Sequence, residues 1–266
     1  MLQDYPKPTL AVYKFTSCDG CQLAFLNAGV ALLELTNLIT IIHFAEAGFV
    51  APTQAVDIAF VEGSISTLDE ITRIQQIRAQ SNYLITIGAC ATAGGIQALR
   101  NFAGSNNWLK DIYATSDTID SLKTSYPISH YVKVDTELWG CPVNTAQVMV
   151  AIRSLLFNAA PQVKRDSVCM DCKRRGRVCI LVSQQQSCMG PVTQTGCGSL
   201  CPGLNRACYG CYGPSENPNT QSLGAAFKKL GLSDVDVARQ FHHINNQAPA
   251  FHQAGNRFKT IPIWVA

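Results

Sequence analysis

Eight cysteines crowd into one short stretch, in the order Cys169-x2-Cys172-x6-Cys179-x8-Cys188-x8-Cys197-x3-Cys201-x6-Cys208-x2-Cys211. Four more, Cys18, Cys21, Cys90 and Cys141, bring the total to 12. Twelve thiols divide into three sets of four, the number that three cubane [4Fe–4S] clusters require. The stretch is also rich in glycine and proline and buries little apolar surface, so the sequence predicts that bound metal holds it together.

The composition narrows the classes of protein to which this chain can belong. Of the 266 residues, 47% are hydrophobic and 15% are charged, which favours a packed core. The net charge of +3 does not indicate nucleic acid as a partner. We expect no membrane span, because no run of about 18 apolar residues occurs. The N-terminus lacks a secretion-signal pattern, which predicts a cytoplasmic protein, and clustered cysteines in the cytoplasm usually bind metal rather than form disulfides.

Apolar runs alternate with helical patterns along the first 160 residues. Such alternation predicts an α/β fold with a parallel sheet and helices on both faces. The predicted strands are Leu10–Phe15, Leu38–Phe44, Val56–Val61, Tyr83–Ile87 and His130–Val134. The predicted helices are Gln22–Leu35, a helix from the capping box Thr67-x-x-Glu70 to about Gln80, and Thr145–Phe157.

The isolated cysteines each follow a predicted strand. Cys18 and Cys21 follow the first strand, Cys90 the fourth and Cys141 the fifth. Because ligands of parallel sheets lie at the carboxyl ends of the strands, we expect these cysteines to meet at one edge. The alternative is that Cys90 and Cys141 are small buried apolar residues, as free cysteines often are.

Four separated motifs then indicate a family. FTSCDGC (15–21), EGS (62–64), GACATAGG (88–95) and GCP (140–142) resemble the small subunit of nickel–iron hydrogenases. The resemblance implies that Cys18, Cys21, Cys90 and Cys141 hold a proximal [4Fe–4S] cluster, next to a Ni–Fe centre carried by a partner large subunit. The related subunit of respiratory complex I usually has two adjacent cysteines at the first site, so the Cys18-x2-Cys21 spacing favours hydrogenase.

The same resemblance suggests roles for the remaining eight cysteines. Cys169, Cys172, Cys179 and Cys188 look like distal ligands, and Cys197, Cys201, Cys208 and Cys211 look like medial ligands. Many small subunits have histidine at the position of Cys169 and proline at the position of Cys201, so a fourth thiolate here would make the medial cluster [4Fe–4S]. The gap between Cys197 and Cys208 is short for the family, and exchange of Cys188 or Cys211 between the sets stays open.

The predicted organisation is a flavodoxin-like domain over residues 1–160, followed by an iron–sulfur domain with little regular structure over residues 161–266. The apolar periodicity gives way to AAPQVKRD at this boundary. Beyond the cysteines we expect helices at Ser222–Leu230 and Ser233–Asn245, stopped and capped by Gly231 and Ser233. We expect the tail Ile261–Ala266 to pack against this domain or a partner.

The predicted function is electron transfer within a cytoplasmic hydrogenase. Three [4Fe–4S] clusters would connect the large subunit to a further redox subunit linked to NAD(P), a deazaflavin or a disulfide reductase. A complex-I-like subunit linked to quinone or ferredoxin, and a zinc-stabilised interaction module, are the alternatives.

Two charged features have open roles. Glu62 follows a buried strand and either relays protons, hydrogen-bonds near the proximal cluster, caps a helix, or orients a loop. The basic run from Lys173 to Arg177 either guides an acidic redox partner, offsets the charge of a cluster, or is a solvated loop.

Overall fold

A computed structural model describes residues 6–50, 52, 54–103, 109, 112–113 and 119–259. Its centre is a five-stranded sheet in the order β2-β1-β3-β4-β5, in which every neighbouring pair is parallel. This order is that of a flavodoxin-like doubly wound sheet, so the predicted fold class is confirmed. The strands are β1 (Thr9–Lys14), β2 (Thr40–Phe44), β3 (Val56–Glu62), β4 (Ser81–Ile87) and β5 (Thr136–Leu138).

The central strands are buried on both faces. Six of the seven residues of β3 are buried, and Leu10 to Tyr13 of β1 are buried in succession. Continuous apolar strands of this kind are typical of parallel sheets covered by helices on both sides. One core contains Phe25, Phe60 and Ile152, and a second contains Tyr13, Val61 and Ile74.

The helices of this half confirm one prediction and correct another. The helix over Leu68–Gln80 begins with a complete capping box between Thr67 and Glu70. The single helix predicted over Gln22–Leu35 is wrong, because the chain turns at Gly29 with φ of 54° and forms two short helices. The helices are α1 (Gly20–Leu26), α2 (Val30–Leu35), α3 (Leu68–Gln80), α4 (Gly88–Ala93), α5 (Arg100–Ala103) and α6 (Thr145–Leu156).

The fifth strand does not lie where the sequence predicted it. Residues Ile128–His130 form a 3₁₀ turn, and β5 is only Thr136–Leu138. Asp135 sets this edge, because its carboxylate accepts the Leu84 N–H at 2.8 Å and pairs with Arg78 at 2.6 Å. The prediction of a strand over His130–Val134 is therefore wrong.

The second half contains six helices among the described residues. The three in the cysteine-rich stretch have four to seven residues each, which agrees with the predicted scarcity of regular structure. The helices are α7 (Val168–Arg174), α8 (Ile180–Ser183), α9 (Leu200–Gly203), α10 (Thr220–Lys229), α11 (Asp234–Phe241) and α12 (Pro249–Phe258).

Helices α10 and α11 match the two predicted ones, with shifted ends. The Ser233 side chain caps α11 as expected, accepting the Asp236 N–H at 3.2 Å. Sequence reasoning missed α12, although Pro249 at its first turn and apolar residues at Phe251, Ala254 and Phe258 follow the helical period. The tail Ile261–Ala266 lies outside the described residues.

A third core joins the cysteine-rich stretch to the last three helices. Phe227, Phe241 and Phe251 form its centre, and Ala93 and Trp139 from the first half pack against it. The domain boundary at residue 160 stays a prediction. In the described part of the chain, no helix is both long enough and apolar enough to cross a bilayer.

Candidate metal centres

The four cysteines of the first half meet at the carboxyl edge of the sheet. Cys18 lies in the loop after β1, Cys21 in the first turn of α1, Cys90 in α4 after β4, and Cys141 in the loop after β5. Burial raises the pKa of Cys21, Cys90 and Cys141, and the charges of the other thiols of the set add to the effect because they lie close by. The expected convergence is therefore present, and the role of these four as ligands of one cluster stays a prediction.

Two glycines make room for these thiols. Gly88 begins α4 with φ of +83°, and a side chain there would collide with the Cys21 Sγ. Gly95 has φ of +62°, and a Cβ there would lie 2.6 Å from the Cys90 Sγ. Only glycine combines such a backbone conformation with so little space, so both positions leave room for the thiols of the first set.

Cys21 lies between two hydrogen bonds. Its Sγ accepts the Val143 N–H at 3.5 Å, and its own N–H donates to the Glu62 Oε1 at 2.9 Å. Glu62 is only 2% exposed, and its Oε2 has no hydrogen-bond partner among the described residues. Burial raises the pKa of Glu62, against the opposing effect of the Cys21 N–H. The carboxylate therefore fixes the turn that carries Cys18 and Cys21.

A second set of four cysteines shares one cavity. Cys197, Cys201, Cys208 and Cys211 line a space of about 530 Å³, together with Cys141 of the first set. Cys201 lies on α9, and the Gly210 N–H donates to the Cys208 Sγ at 3.5 Å. The structure thus brings together the four cysteines that the sequence grouped as medial.

The third set lines a smaller cavity. Cys169 and Cys172 on α7, Cys179 before α8, and Cys188 surround a space of about 100 Å³. Gly190 lies between two of them, since a Cβ there would be 3.4 Å from the Cys188 Sγ and 3.6 Å from the Cys169 Sγ. These are the four cysteines that the sequence grouped as distal.

Contacts join the three sets in a row. Cys141 of the first set lines the same cavity as Cys211 of the second. The Cys208 N–H of the second donates to the Cys188 Sγ of the third at 3.2 Å. Pro202 lines both the second and the third cavity. The second set therefore lies between the other two.

Tyr212 fills the junction between the first and second sets. Its hydroxyl donates to the Pro142 carbonyl at 3.4 Å. A Cβ on Gly140 would lie 3.0 Å from its ring, and a Cβ on Gly196 would lie 2.5 Å from it. The side chain is 5% exposed and lines the same space as Cys141 and Cys211.

The pKa values of the thiols indicate what kind of group each cysteine set can bind. Burial raises the pKa of Cys90 and Cys211 to about 12 and that of Cys169 to about 11, and neighbouring thiolates add to the effect. Such thiols would ionise at neutral pH only against a strong positive charge such as bound iron. Four thiols per set, with an N–H group directed at one sulfur of each set, therefore fit a [4Fe–4S] cluster.

A site for a single metal ion differs from a site for an iron–sulfur cluster. Within the described residues, no group of three or more His, Cys, Asp or Glu side chains is placed to hold one ion. A four-iron cluster does not require its four thiolates to meet at one ion, because each thiolate binds a separate iron. The absence of a single-ion site in this part of the chain therefore does not bear on whether the three sets hold such clusters.

A doubly wound sheet that gathers four cysteines at its carboxyl edge, followed by a stretch with eight more, defines a cysteine-rich redox protein of the hydrogenase small-subunit type. The chain belongs to the family described as NADH ubiquinone oxidoreductase, 20 Kd subunit, whose pattern matches residues 18–155. The matched region contains all four cysteines of the first set.

Relatives across most of the chain are hydrogenase subunits. The Sulfhydrogenase 2 subunit delta of Pyrococcus furiosus is 31% identical over 231 residues, which cover 87% of this chain and 96% of the relative. A vhu subunit of the F420-non-reducing hydrogenase of Methanocaldococcus jannaschii is 30% identical over 254 residues, covering 82% and 86%. The resemblance to hydrogenase small subunits inferred from the motifs is therefore confirmed.

Solved structures agree on the fold. The actinobacterial-type NiFe-hydrogenase from Ralstonia eutropha H16 has a chain that matches with a TM-score of 0.59 and 15% identity, covering 96% of this chain and 87% of that one. A chain of the Ni-Fe-Se hydrogenase from Desulfomicrobium baculatum matches with a TM-score of 0.54 and 16% identity, covering 81% and 98%. At this identity the likeness extends to the fold alone.

Sequence reasoning missed Tyr212. The segment CYGCYG (208–213) repeats the same three letters, so the pattern does not distinguish Tyr209 from Tyr212. In the fold Tyr209 is 49% exposed and Tyr212 is 5% exposed. Only the approach of Gly140 and Pro142 from the first half shows which tyrosine fills the junction.

Proposed function

We propose that this chain is the electron-transfer subunit of a nickel–iron hydrogenase. The observation that carries the proposal is the row of three four-cysteine sets, in which Cys141 shares the cavity of the second set and the Cys208 N–H donates to the Cys188 Sγ of the third. Such a row is suited to pass electrons over a distance that one cluster does not span. The function of the relatives as hydrogenase subunits supports the same conclusion.

In this proposal each set holds one [4Fe–4S] cluster. The proximal ligands are Cys18, Cys21, Cys90 and Cys141, the medial ligands are Cys197, Cys201, Cys208 and Cys211, and the distal ligands are Cys169, Cys172, Cys179 and Cys188. When bound, each cluster would supply one-electron redox chemistry. The chain's own part is to bury the sulfurs and to donate N–H groups to them, both of which tune the reduction potential.

The proposal places hydrogen activation on another chain. A partner large subunit would carry the Ni–Fe centre beside the proximal set, and a further redox subunit linked to NAD(P), a deazaflavin or a disulfide reductase would take electrons from the distal set. We propose that the complex works in the cytoplasm. The exposed Cys18 and Cys141 support an approach of the partner to the proximal end.

Glu62 has a proposed role in proton transfer. Its Oε2 is buried without a partner among the described residues, which supports a relay at this atom. Its Oε1 is engaged by the Cys21 N–H, which supports a positioning role at the same time. The relay stays a prediction, and substitution of Glu62 by glutamine would separate the two roles.

A second candidate is a complex-I-like iron–sulfur subunit linked to quinone or ferredoxin. The description of the matching family, which names an NADH ubiquinone oxidoreductase subunit, favours it. It shares the clusters with the first proposal but predicts no nickel in the native complex.

One experiment separates these candidates. The native complex is purified without oxygen, and iron, acid-labile sulfide, nickel and zinc are measured per copy of this chain. About twelve iron atoms with matching sulfide, beyond those of any other subunit, are expected from three clusters, with nickel on a co-purifying large subunit. Iron without nickel would favour the complex-I-like candidate. Zinc without sulfide would overturn electron transfer and favour a structural module.

A further inference from the structure

Two adjacent asparagines connect the first and second cysteine sets. Asn245 and Asn246, which we call the asparagine pair, lie in the loop between α11 and α12 and are 1% and 0% exposed. The Asn245 Nδ2 donates to the Gly210 carbonyl at 2.7 Å, and the Asn246 Nδ2 donates to the Gly95 carbonyl at 2.8 Å. Neighbouring side chains of one short loop therefore hold two glycines that belong to different halves of the chain.

Each of these glycines lies beside a cysteine sulfur. Gly95 has no room for a side chain, because a Cβ there would lie 2.6 Å from the Cys90 Sγ of the first set. Gly210 stands between two cysteines of the second set, and its N–H donates to the Cys208 Sγ at 3.5 Å. The asparagine pair therefore reaches each set through main chain that packs directly on a sulfur.

The amide of Asn246 fixes the loop against the first half of the chain. Besides the bond to Gly95, its Nδ2 donates to the His243 carbonyl at 3.1 Å, and its Oδ1 accepts the Gln247 Nε2 at 3.0 Å. The Gln247 N–H adds a main-chain bond to the Ala93 carbonyl at 3.3 Å. The loop is thus bonded to the first half at two points, both close to Cys90.

Asn245 is buried although one of its polar atoms is unpaired. Its Oδ1 has no hydrogen-bond partner among the described residues. A buried amide oxygen without a partner destabilises a fold, because it has lost its hydrogen bonds to water. The bond from Nδ2 to Gly210 is therefore what this side chain contributes, and an apolar residue of similar size would serve stability as well.

We propose, on the basis of the electron-transfer function above, that the asparagine pair fixes the separation between the first and second cysteine sets. Asn245 and Asn246 are positioning residues in this proposal, since each acts on a set through the glycine that it holds. The position of a bound cluster follows from its thiolates, so a shift of either loop would change the distance between two clusters. Groups that orient metal ligands typically affect activity by about 10- to 100-fold.

The test uses the native complex of this chain with its large subunit, purified without oxygen. Two reduced clusters each carry an unpaired spin, and their magnetic interaction splits the EPR signals and weakens with the cube of their separation. Asn245→Ala and Asn246→Ala each remove one donor. Asn245→Leu and Asn246→Leu remove the same donors at nearly constant volume, so the test stays informative if a cavity disturbs the alanine variants.

Asn219→Ala is the matched control for a loss of stability. Asn219 belongs to the same half and caps α10, where its Oδ1 accepts the Ser222 N–H at 3.0 Å. The substitution removes the cap and lowers the free energy of unfolding, but it leaves the asparagine pair and both glycines unchanged. It therefore shows what destabilisation alone does to the EPR signals.

We expect the splitting between the proximal and medial signals to change in all four variants of the pair, and hydrogen-driven viologen reduction to fall about tenfold. The Asn245 variants are expected to shift only the medial signal and the Asn246 variants only the proximal signal, because each asparagine holds one glycine. Asn245→Leu is expected to keep the parental midpoint of urea unfolding, since it also removes the unpaired oxygen. Iron content is expected to be parental throughout, as are the spectra of Asn219→Ala.

Four results would overturn the positioning role. The first is a parental splitting in all four variants. The second is a loss of iron in the leucine variants as well as the alanine variants, because the asparagines would then serve cluster binding or folding. The third is an equal change in Asn219→Ala, which would trace the effect to stability. The fourth is a parent complex with full iron content but no magnetic interaction between clusters. A parent complex without iron would instead overturn the proposed function itself.

Discussion

The Tyr212 hydroxyl donates to the Pro142 carbonyl at 3.4 Å. The two residues come from different halves of the chain, and each directly follows a cysteine, Cys141 of the first set and Cys211 of the second. The hydrogen bond therefore ties the two halves together where the first and second sets meet.

Tyr212 is expected to be the positioning residue of this junction. Tyr212→Ala would open a cavity beside Cys141 and Cys211, and we expect hydrogen-driven viologen reduction to fall at least tenfold. Exchange between D2 and protons on the large subunit is expected to stay at the parental rate, because it does not use this route. Tyr212→Phe keeps the ring and is expected to restore most of the rate.

Tyr209→Ala is the matched control for Tyr212, since it removes a half-exposed tyrosine three residues away. Iron content and the potential of the medial cluster, measured by redox titration with EPR, separate electron transfer from folding. Equal rates for Tyr212→Ala and the parent would contradict the positioning role. A loss of iron in Tyr212→Ala would show that the tyrosine serves cluster binding instead.

Gly88→Ala is expected to remove the proximal cluster. The added Cβ would collide with the Cys21 Sγ, and φ of +83° adds strain. We expect a loss of about four iron atoms per chain while the other eight cysteines keep their metal. Gly48→Ala controls for the backbone strain alone, because Gly48 has φ of +82° and no atom within 4 Å of its added Cβ. Full iron content in Gly88→Ala would be inconsistent with the proposed ligand set.

The sequence predicted most of what brings the first set together. Apolar runs and the strand–helix alternation identified four of the five strands, and the rule for parallel sheets then explains why Cys18, Cys90 and Cys141 converge. The order of the eight later cysteines also anticipated which of them share a cavity. These features are local or follow from topology, so a sequence pattern contains them.

What the sequence did not predict depends on long-range contacts. The three-residue strand β5 is positioned by the Asp135 bonds to Arg78 and Leu84, and a strand so short has no periodicity to detect. The break between α1 and α2 depends on the conformation of Gly29, within a segment of otherwise helical composition. Tyr212 acquires its position only when the two halves of the chain pack together.

Glu62→Gln tests the predicted proton relay. The glutamine amide keeps an oxygen that accepts the Cys21 N–H, so the turn is expected to keep its shape. Unlike the carboxyl group, the amide does not gain or lose a proton at neutral pH. If Glu62 relays protons, D2 exchange with solvent protons is expected to fall about tenfold or more with iron content unchanged. Glu62→Ala also removes the acceptor and is expected to lower iron content. Parental exchange in Glu62→Gln would leave Glu62 with the positioning role alone.

His242 is expected to make stability depend on pH. Its ring is 2% exposed, stacks on Phe102, and directs Nε2 at the His252 carbonyl at 3.2 Å. Burial lowers its pKa from 6.5 to about 4; the bond to the His252 carbonyl opposes this shift, while the charges of His252 and Lys259 add to it. Below pH 6.5 this histidine is protonated in the unfolded chain but stays neutral in the folded protein. The free energy of unfolding therefore falls as the pH drops from about 6.5 to about 4.

The effect of this one histidine is expected to reach about 1.4 kcal/mol at pH 5.5, one unit below its unfolded pKa. Urea unfolding of the protein kept without oxygen, at pH 7.5 and pH 5.5, measures it. His242→Phe keeps an aromatic ring against Phe102 and is expected to lose that much less stability on acidification than the parent. His243→Asn, which changes the exposed neighbouring histidine, is expected to keep the parental pH dependence. An equal loss in His242→Phe and the parent would show that other groups cause the acid sensitivity.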